Sequence, residues 1–472
     1  MQKMLKRTKI VATIGPATET EEVIGQLIDA GMNVARFNTK HGTPEWHRER
    51  VQRVRKVAAE KGLPVAVLLD LQGPEIRVDL RDGQAFSVRD GEEVFFTFNK
   101  QSTEEKVIFI PENVVDTLQI GNFVLLDDGA CEFEIVKKED DFLMAKALGD
   151  FEVKTRKTMN TPGIVIDMPS LIDPDRVQLD GAVETGVDFV GLSFVRDKED
   201  IKILRDELDK RGLKDTSIVA KIENQSALDN LDEIINASDA VMVARGDLAV
   251  EVPFEQLAFW QKLIITKCRL AGKPVITATQ MLKSMVESPR PTRAEVSDVA
   301  NAVYDSTDAV MLSEETTIGK FPVKAVETQA KIAAFNEEYE TSYLDEWEDE
   351  TDPSLVAHAA VYLMQNEENS IDSVVCLTET GNTVNLLTRF RPKVDVHALT
   401  SNELTYRKLA LNYGVIPHIV EFAGGKIEEP NAMVEILKEK GIVKSGETVL
   451  VIYGTIWKTP GLTNSLSIVH VK

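Results

Sequence analysis

The sequence predicts an α/β protein: a (β/α)8 TIM barrel with an inserted all-β lid domain and a C-terminal α/β domain. Three observations predict it. Short β-branched runs recur along the chain and end in polar or charged residues. Helix-length segments of mixed polarity separate most of them. One interval of over a hundred residues breaks the rhythm and carries short alternating runs with Asp-Gly turns. That is too long for a loop inside a compact domain.

The eight runs cover residues 9–14, 33–37, 65–69, 189–194, 218–222, 240–244, 275–278 and 309–312. They are mostly apolar, as strands buried on both faces are, which argues for a parallel sheet. Eight of them, alternating with helices, argue for a closed barrel rather than an open sheet. The helical segments 21–30 and 255–271 stop at Gly31 and Gly272, the expected residue type just past a helix end. Between the third and fourth runs, segments 84–98, 106–110, 123–126 and 131–136 alternate in polarity, with turns at Asp82-Gly83, Asp90-Gly91 and Asp128-Gly129. These form the expected insert, a β-barrel lid over residues 74–155. Helical signal resumes at 173–185. The barrel is therefore expected over residues 1–73 and 156–340. An acidic run, 337–352, reads as a solvated linker ahead of Pro353. A third unit spans 354–472, with strands at 373–377, 394–398 and 448–453.

The totals agree with several domains. A chain of 472 residues with 43% hydrophobic content exceeds one core. The formal net charge of −23 disfavours non-specific contact with nucleic acid or anionic lipid, so neither is expected as a partner. It also requires any phosphate site to be locally basic or to hold a metal. Cys131, Cys268 and Cys376 lie far apart with no C-x-x-C spacing, so buried thiols in a reducing compartment are expected. No signal-peptide h-region opens the sequence and no uncharged run reaches about 18 residues, so the expected location is cytoplasmic.

The ends of the barrel runs are polar. In this fold chemistry gathers at the C-terminal rim. The second run ends Arg36-Phe37-Asn38, the third at Asp70, and the fourth carries Ser193. The fifth gives Lys221-Ile222-Glu223, the sixth Arg245-Gly246-Asp247, the seventh Thr279, and the eighth Ser313-Glu314. The i, i+2 pairs Arg36/Asn38, Lys221/Glu223 and Arg245/Asp247 each place two polar groups on one strand face. Any one alone fits a structural ion-pair network; the whole set on one rim asks for a ligand. Glu223 and Asp247 suit a hard divalent cation such as Mg²⁺ or Mn²⁺. Lys221 and Arg36 suit phosphoryl oxygens. Backbone amides at 245–247 could take a carboxylate. Together these fit phosphoryl transfer. The sequence holds no G-x-x-x-x-G-K-[ST] and no G-x-G-x-x-G after a strand, so a nucleotide would not bind through a P-loop or a Rossmann crevice. His41, just past the second strand, stands between two readings: a surface histidine or a ligand contact.

At these residues the chain resembles the pyruvate kinase family. The motifs are TKIVATIGPA (8–17), NVARFN (33–38), GPEIR (73–77), KIEN (221–224), VARGDL (243–248), TATQML (277–282), PTRAEVSDVANAV (291–303) and PGLTN (460–464). They stand in family order over almost the whole chain. The resemblance implies a glycolytic, cytoplasmic homotetramer that moves a phosphoryl group from phosphoenolpyruvate to ADP, giving pyruvate and ATP. It implies that Lys221 stabilises the transferring phosphoryl and the enolate, that Arg36 grips phosphate, and that Glu223 and Asp247 hold the divalent metal. Gly246 and Asp247 would seat the substrate carboxylate. Thr279 would line the face where carbon is protonated, with Ser313 and Glu315 in a proton relay. His41, Arg77 and Lys157 match positions that approach the nucleotide.

Some positions depart from the family pattern. Where the family usually has N-F-S-H-G, this chain has Asn38-Thr39-Lys40-His41-Gly42. The serine that helps ligate a monovalent cation is thus Lys40, while Asn38 and Asp70 remain and Leu71 would offer only its carbonyl. Glu75 is the form typical of potassium-requiring members. The Lys40 ammonium, a point charge with three donors, stands between two readings: it occupies the cation site in place of K⁺, or it turns to solvent and K⁺ still binds. Glu314 and Tyr304-Asp305-Ser306 also depart. In the loop 378–383, which in many members binds a sugar phosphate, Glu379 disfavours an anion, so activation by fructose 1,6-bisphosphate is not expected. Two other readings stay open: another Mg²⁺-dependent barrel acting on pyruvate-like acids, and a non-catalytic metabolite-binding regulator of the same fold.

Overall fold

The computed structural model describes residues 6–340, 351–365, 370–420, 430–455 and 461–472. The centre of the acidic run and Pro460 of the closing motif lie outside these residues. Eight parallel strands form a closed barrel: β1 (Lys9–Thr13), β2 (Val34–Asn38), β3 (Ala66–Asp70), β4 (Phe189–Leu192), β5 (Ser217–Ile222), β6 (Ala240–Ala244), β7 (Val275–Ala278) and β8 (Ala309–Leu312). Each pairs with its neighbours in sequence, and β8 closes on β1 through Lys9↔Ala309.

Alternation along each strand decides what faces the axis. Val11, Val34, Leu68, Val219, Met242, Ile276 and Met311 fill the interior, and Ala410 and Leu411 of the C-terminal unit join the same cluster. The next inward positions toward the C-terminal rim are Arg36, Asp70 and Lys221, so the apolar plug gives way to charge. The opposite strand faces pack on the surrounding helices in a much larger cluster that includes Ile10, Phe37, Val67, Val190 and Val243. Full burial of side chains of this size contributes about 1.5–3 kcal/mol each.

Helix ends follow local chemistry. Thr20 caps Glu21–Ala30 by accepting from Val23 N, and Gly31, at φ 119°, ends the helix. Thr43 and Pro44 start Pro44–Lys61, and Gly62, at φ 62°, stops it. The helix expected over 255–271 is a 3₁₀ turn, Phe254–Gln256, followed by an α-helix at Leu257–Leu270. The helix expected to reach 185 ends at Ala182, where Gly186 N closes on the Ala182 carbonyl.

The insert is a seven-stranded sheet ordered Met159–Asn160, Phe123–Leu126, Cys131–Lys138, Phe142–Ala147, Glu93–Thr97, Val107–Phe109, Asp79–Leu80, with a separate pair Phe86–Val88 and Phe151–Val153. Its two ends meet through the strands that enter and leave it: Arg156 N to Val78 O (2.7 Å), Val78 N to Lys157 O (3.0 Å) and Met159 N to Ile76 O (2.9 Å). Phe96 and Phe133, both fully buried, stack edge to face at 5.4 Å in its core. The run 84–98 is two strands, broken at Asp90-Gly91. The sheet continues past the expected boundary at 155 to Asn160, because Met159 and Asn160 pair with Leu126 and Leu125.

The C-terminal sheet has the order β11-β10-β9-β12-β13, from β9 (Ser373–Leu377), β10 (Asp395–Thr400), β11 (Val415–Ile419), β12 (Thr448–Gly454) and β13 (Thr463–His470). The last strand is antiparallel. The expectation lacked β11, whose Pro417 and His418 interrupt the apolar pattern, and β13, which reads as polar. The inter-domain contact is ionic as well as apolar: Arg391 and Asp308, 3% and 4% exposed, pair at 2.8 Å. Ser306 belongs to this seam, whereas Tyr304 and Asp305 bond within the barrel domain, Tyr304 to Asn336 Oδ1 at 2.5 Å. Ser306 adopts φ 66°, its carbonyl accepts from Arg391, and its hydroxyl bonds Glu340. Asp305 accepts from Gln261 Nε2 at 2.8 Å and pairs with Lys262.

Candidate active site at the barrel rim

A cavity of about 80 Å³ opens at the C-terminal rim, lined by Arg36, Asn38, Lys40, Asp70, Leu71, Lys221, Glu223, Asp247 and Thr279, with Met242, Ala244 and Met311 as its floor. The strands account for the convergence. Register places Asn38 beside Asp70, and Asp70 beside Gly191. A side chain at 191 would put its Cβ 2.9 Å from Asp70 Oδ1, so glycine there lets the carboxylate occupy the strand end.

Asp70 is 1% exposed and organises the cations. Arg36 Nε and NH2 reach Asp70 Oδ2 at 2.7 and 2.6 Å, and Arg36 NH1 donates to Thr13 Oγ1 at 2.9 Å. Asp70 Oδ1 makes no hydrogen bond and lies 3.4 Å from Lys221 Nζ. Burial opposes the Asp70 charge, but Lys221 and Arg36 outweigh it and lower its pKa. Lys221 Nζ also sits 2.8 Å from Glu223 Oε1 and donates to Ser193 Oγ at 2.7 Å. Burial works against the lysine charge as well, and Asp70, Glu223 and Asp247 overcome it, so Lys221 is held firmly protonated. Glu223 Oε2 accepts from Phe194 N at 2.6 Å.

Asp247 differs. Its carboxylate makes no hydrogen bond or ion pair with a described residue, and burial followed by the Glu223 charge pushes its pKa up to about 7. Two close carboxylates, one without a partner, are the donor set a hard divalent cation takes when substrate oxygens complete its shell. Among the described residues no group of three or more His, Cys, Asp or Glu side chains could hold a metal by itself.

The sixth strand corrects one reading. It ends at Ala244, and Arg245 opens the short helix Arg245–Glu251, so Arg245 and Asp247 do not share a strand face. Arg245 turns away and binds Asp298 through two contacts of 2.6 and 2.7 Å. It also donates to the carbonyls of Ala278 (3.1 Å) and Thr279 (2.7 Å). This braces the turn after β7, where Thr279 (φ 71°) and Gln280 (φ 55°) are both left-handed. The Thr279 hydroxyl accepts from Gly246 N at 2.8 Å.

Ser313 and Glu315 stand behind the rim and do not line the cavity. Glu315, 1% exposed, accepts from Leu282 N at 3.0 Å and Ser313 N at 2.8 Å, clamping the turns after β7 and β8. The three positions assigned to the nucleotide also lie outside the cavity. Lys157 pairs with Asp127 at 2.8 Å within the insert. Arg77, 49% exposed, pairs with Glu75 at 2.7 Å. The His41 side chain is exposed, while its carbonyl binds His47 Nε2 at 2.8 Å. Lys40 Nζ bonds Glu75 Oε1 at 2.9 Å, and Lys40 N donates to Asn38 Oδ1 at 3.1 Å. Glu314 faces outward and pairs with Lys283.

Sequence reasoning missed Thr13, Asp298 and the positioning role of Ser193. Thr13 and Asp298 sit inside the motifs 8–17 and 291–303, but nothing in their spacing points at Arg36 or Arg245.

Comparison with known proteins agrees with this geometry. The family model described as pyruvate kinase, barrel domain, matches residues 5–326, and the one described as pyruvate kinase, alpha/beta domain, matches 354–469. Pyruvate kinase of Geobacillus stearothermophilus is 39% identical over 99% of this chain and 81% of its own length. That of Staphylococcus saprophyticus is 40% identical over 98% of this chain and 80% of its own length. The crystal structure of a pyruvate kinase from Cryptosporidium parvum superposes with a TM-score of 0.91 at 33% identity, over 99% of this chain and 96% of that one. The charged rim thus stands in a chain that belongs to the pyruvate kinase family.

Proposed function

We propose that this enzyme transfers the phosphoryl group of phosphoenolpyruvate to ADP at the rim cavity, with Lys221 as its central cation. The supporting observation is the meeting of Arg36, Asp70, Lys221, Glu223, Asp247 and Thr279, from five strands or the turns after them, around one 80 Å³ space. Lys221 is protonated and held at three points, so its charge is in place before the phosphoryl moves. Arg36, fixed by Asp70 and Thr13, presents its remaining N–H groups to phosphate oxygens. The amides of Gly246 and Asp247 take the substrate carboxylate, and Gly246 would exchange its bond to Thr279 for it. Thr279 faces the carbon that accepts a proton. A relay through Ser313 and Glu315 would act by way of solvent, because both carboxylate oxygens of Glu315 already accept backbone bonds.

Glu223 and Asp247 would hold a divalent ion, Mg²⁺ or Mn²⁺, and the unpartnered, raised-pKa Asp247 fits that role. When bound, the ion supplies Lewis-acid neutralisation of phosphoryl and carboxylate oxygens. The Lys40 ammonium takes the monovalent position beside Asn38, Asp70, Leu71 and Glu75 in place of K⁺. Arg77, Lys157 and His41 serve the nucleotide once the insert closes, with Lys157 leaving Asp127 for phosphate. Glu379, which accepts from Ser401 Oγ at 2.9 Å, keeps its loop unsuited to a sugar bisphosphate.

A homotetramer is supported by surfaces that lack partners among the described residues. Among these, the strand β13 pairs on one side only, with Ile468 46% exposed. Tyr362 is 67% exposed, and Phe254 and Phe259 are 84% and 59% exposed. Among the described residues no helix is long and apolar enough to cross a membrane, in keeping with a cytoplasmic site of action.

The test is a coupled assay of pyruvate formation. Lys221→Met removes the central charge, and activity should fall by at least three orders of magnitude with the far-UV spectrum unchanged. A variant that kept a tenth of wild-type kcat would sink the assignment.

A further inference from the structure

Two linkers carry the insert on the barrel, residues 73–78 going out and 161–172 coming back. Their barrel ends share one anchor. Asp175, fully buried, accepts from Gln72 N at 3.0 Å, Gly73 N at 3.3 Å and Ile172 N at 3.1 Å. A left-handed glycine marks each linker, Gly73 at φ 71° and Gly163 at φ 74°. Gly163 sits in the turn Thr161-Pro162-Gly163-Ile164, closed by Ile164 N on the Thr161 carbonyl at 2.9 Å. Proline second and glycine third are the residues a type II turn favours.

The insert end is held differently. A cavity of about 170 Å³ separates the linkers from the barrel, with Ile76, Thr161, Ile164, Phe194, Asn224 and Glu251 in its lining. Packing there is incomplete, and a polar contact crosses beside the gap: Asn160 Nδ2 donates to Glu251 Oε1 at 3.1 Å. Asn160 ends the last strand of the insert sheet. Among the described residues, no other side-chain hydrogen bond or ion pair joins a strand of the insert to the barrel. The Gly163 amide also faces the Glu251 carboxylate. Burial raises the Glu251 pKa, and the Asn160 and Gly163 donors offset part of that rise, so this half-buried carboxylate draws its partners from the insert side.

Glu251 closes the short helix Arg245–Glu251, whose first turn carries Gly246 and Asp247. The insert meets this helix a second time. A Cβ on Gly129 would lie 3.8 Å from Val250 Cγ1, and the Asp128 charge adds to the rise in the Asp247 pKa. We infer that Glu251 is a positioning residue: gripped by Asn160 and Gly163, it makes the helix Arg245–Glu251 follow the insert, so that Gly246 and Asp247 take their working places only when the insert is seated. The inference rests on the rim reading given above. Glu251 acts through the helix and needs no contact with substrate or metal. The insert pivots on the Asn160–Glu251 bond while the linker glycines absorb the rotation.

The experiment reverses donor and acceptor. Asn160→Asp sets two carboxylates face to face and should lower the kcat of pyruvate formation at least about tenfold, as small misplacements of reacting groups do. Glu251→Gln keeps an acceptor for both Asn160 and Gly163 and should retain at least about a third of wild-type kcat. The double variant Asn160→Asp/Glu251→Gln rebuilds the bond the other way round, the new amide donating to the new carboxylate, and should return kcat to within about threefold of wild type. Hydrogen–deuterium exchange without substrate or metal is the second readout. Amides of 246–252 should exchange at least about fivefold faster in Asn160→Asp and at the wild-type rate in the double variant, with β5 unchanged in all. A bond that served stability alone would move the melting temperature and leave kcat and this exchange unmoved. Asn160→Asp enzyme that kept more than about half of wild-type kcat, or a double variant no better than Asn160→Asp, overturns the inference. Wild-type enzyme that formed no pyruvate would overturn the rim reading instead, and the exchange pattern would still decide the coupling.

Discussion

Replacing Lys40 by serine should make this enzyme depend on potassium. The ammonium lies 2.9 Å from Glu75 Oε1, with Lys40 28% and Glu75 6% exposed in their side chains. Its charge reaches the cavity, since it is among the groups that oppose the rise in the Asp247 pKa. At a separation of about 5 Å and an effective dielectric of about 20, a unit charge acting on the phosphoryl would be worth roughly 3 kcal/mol. If that attraction grows toward the transition state, removing it costs about 10²-fold in kcat. The assay follows pyruvate release in buffers of constant ionic strength made up with tetramethylammonium or with potassium. Wild type should run equally in both. Lys40→Ser should fall about 10²-fold in the first and recover most of its rate in the second. Wild type that stops without potassium, or a serine variant indifferent to it, refutes the reasoning.

Three further outcomes can be checked. Asp298→Asn removes the carboxylate that holds Arg245; a charged hydrogen bond of this kind is worth about 1.5–3 kcal/mol, so kcat should drop ten- to a hundredfold while the melting temperature shifts little. Arg391→Met leaves Asp308 buried with only the amides of Val275 and Tyr413; breaking such a pair costs about 3–5 kcal/mol, and thermal inactivation should accelerate accordingly. His47, 4% exposed, has its pKa lowered by burial from 6.5 to about 4. The unfolded chain takes this proton first as pH falls, so the contribution is complete above 6.5 and is lost down to about 4. That loss amounts to roughly 3 kcal/mol at most, and His47→Gln should flatten the acid limb of a denaturant-midpoint curve over this window.

Fold and site were legible to different depths. Seven of the eight barrel runs were legible to within one residue at each end, because strands buried on both faces are mostly apolar; the fourth, read to 194, ends at Leu192. The rim was legible for a related reason: Arg36, Asp70 and Lys221 are inward positions that polarity alone marks as unusual. What escaped notice were features set by partners far away in sequence. Strand β11 carries a proline and a histidine that its neighbour β10 tolerates. The turn at Asn160 belongs to the insert only because Leu125 and Leu126 pair with it. Arg245 read as a rim group because the strand alternation was extended to Asp247, three residues past Ala244, while the left-handed backbone at Thr279 and Gln280 has no signature in residue type. Ser306 shows the same limit from the other side. A serine at positive φ is costly in isolation, and bonds to Arg391 and Glu340 hold it there.

The seating of Ala410 and Leu411 among the inward residues of the barrel strands has an evolutionary edge to it. The cylinder borrows its stopper from another part of the chain. An ancestor consisting of the cylinder alone would have needed its own cork, or would have leaked water toward Met242 and Leu68. The two units could therefore drift in sequence only together, and shuffling the C-terminal piece onto another scaffold would leave an unsealed tube behind.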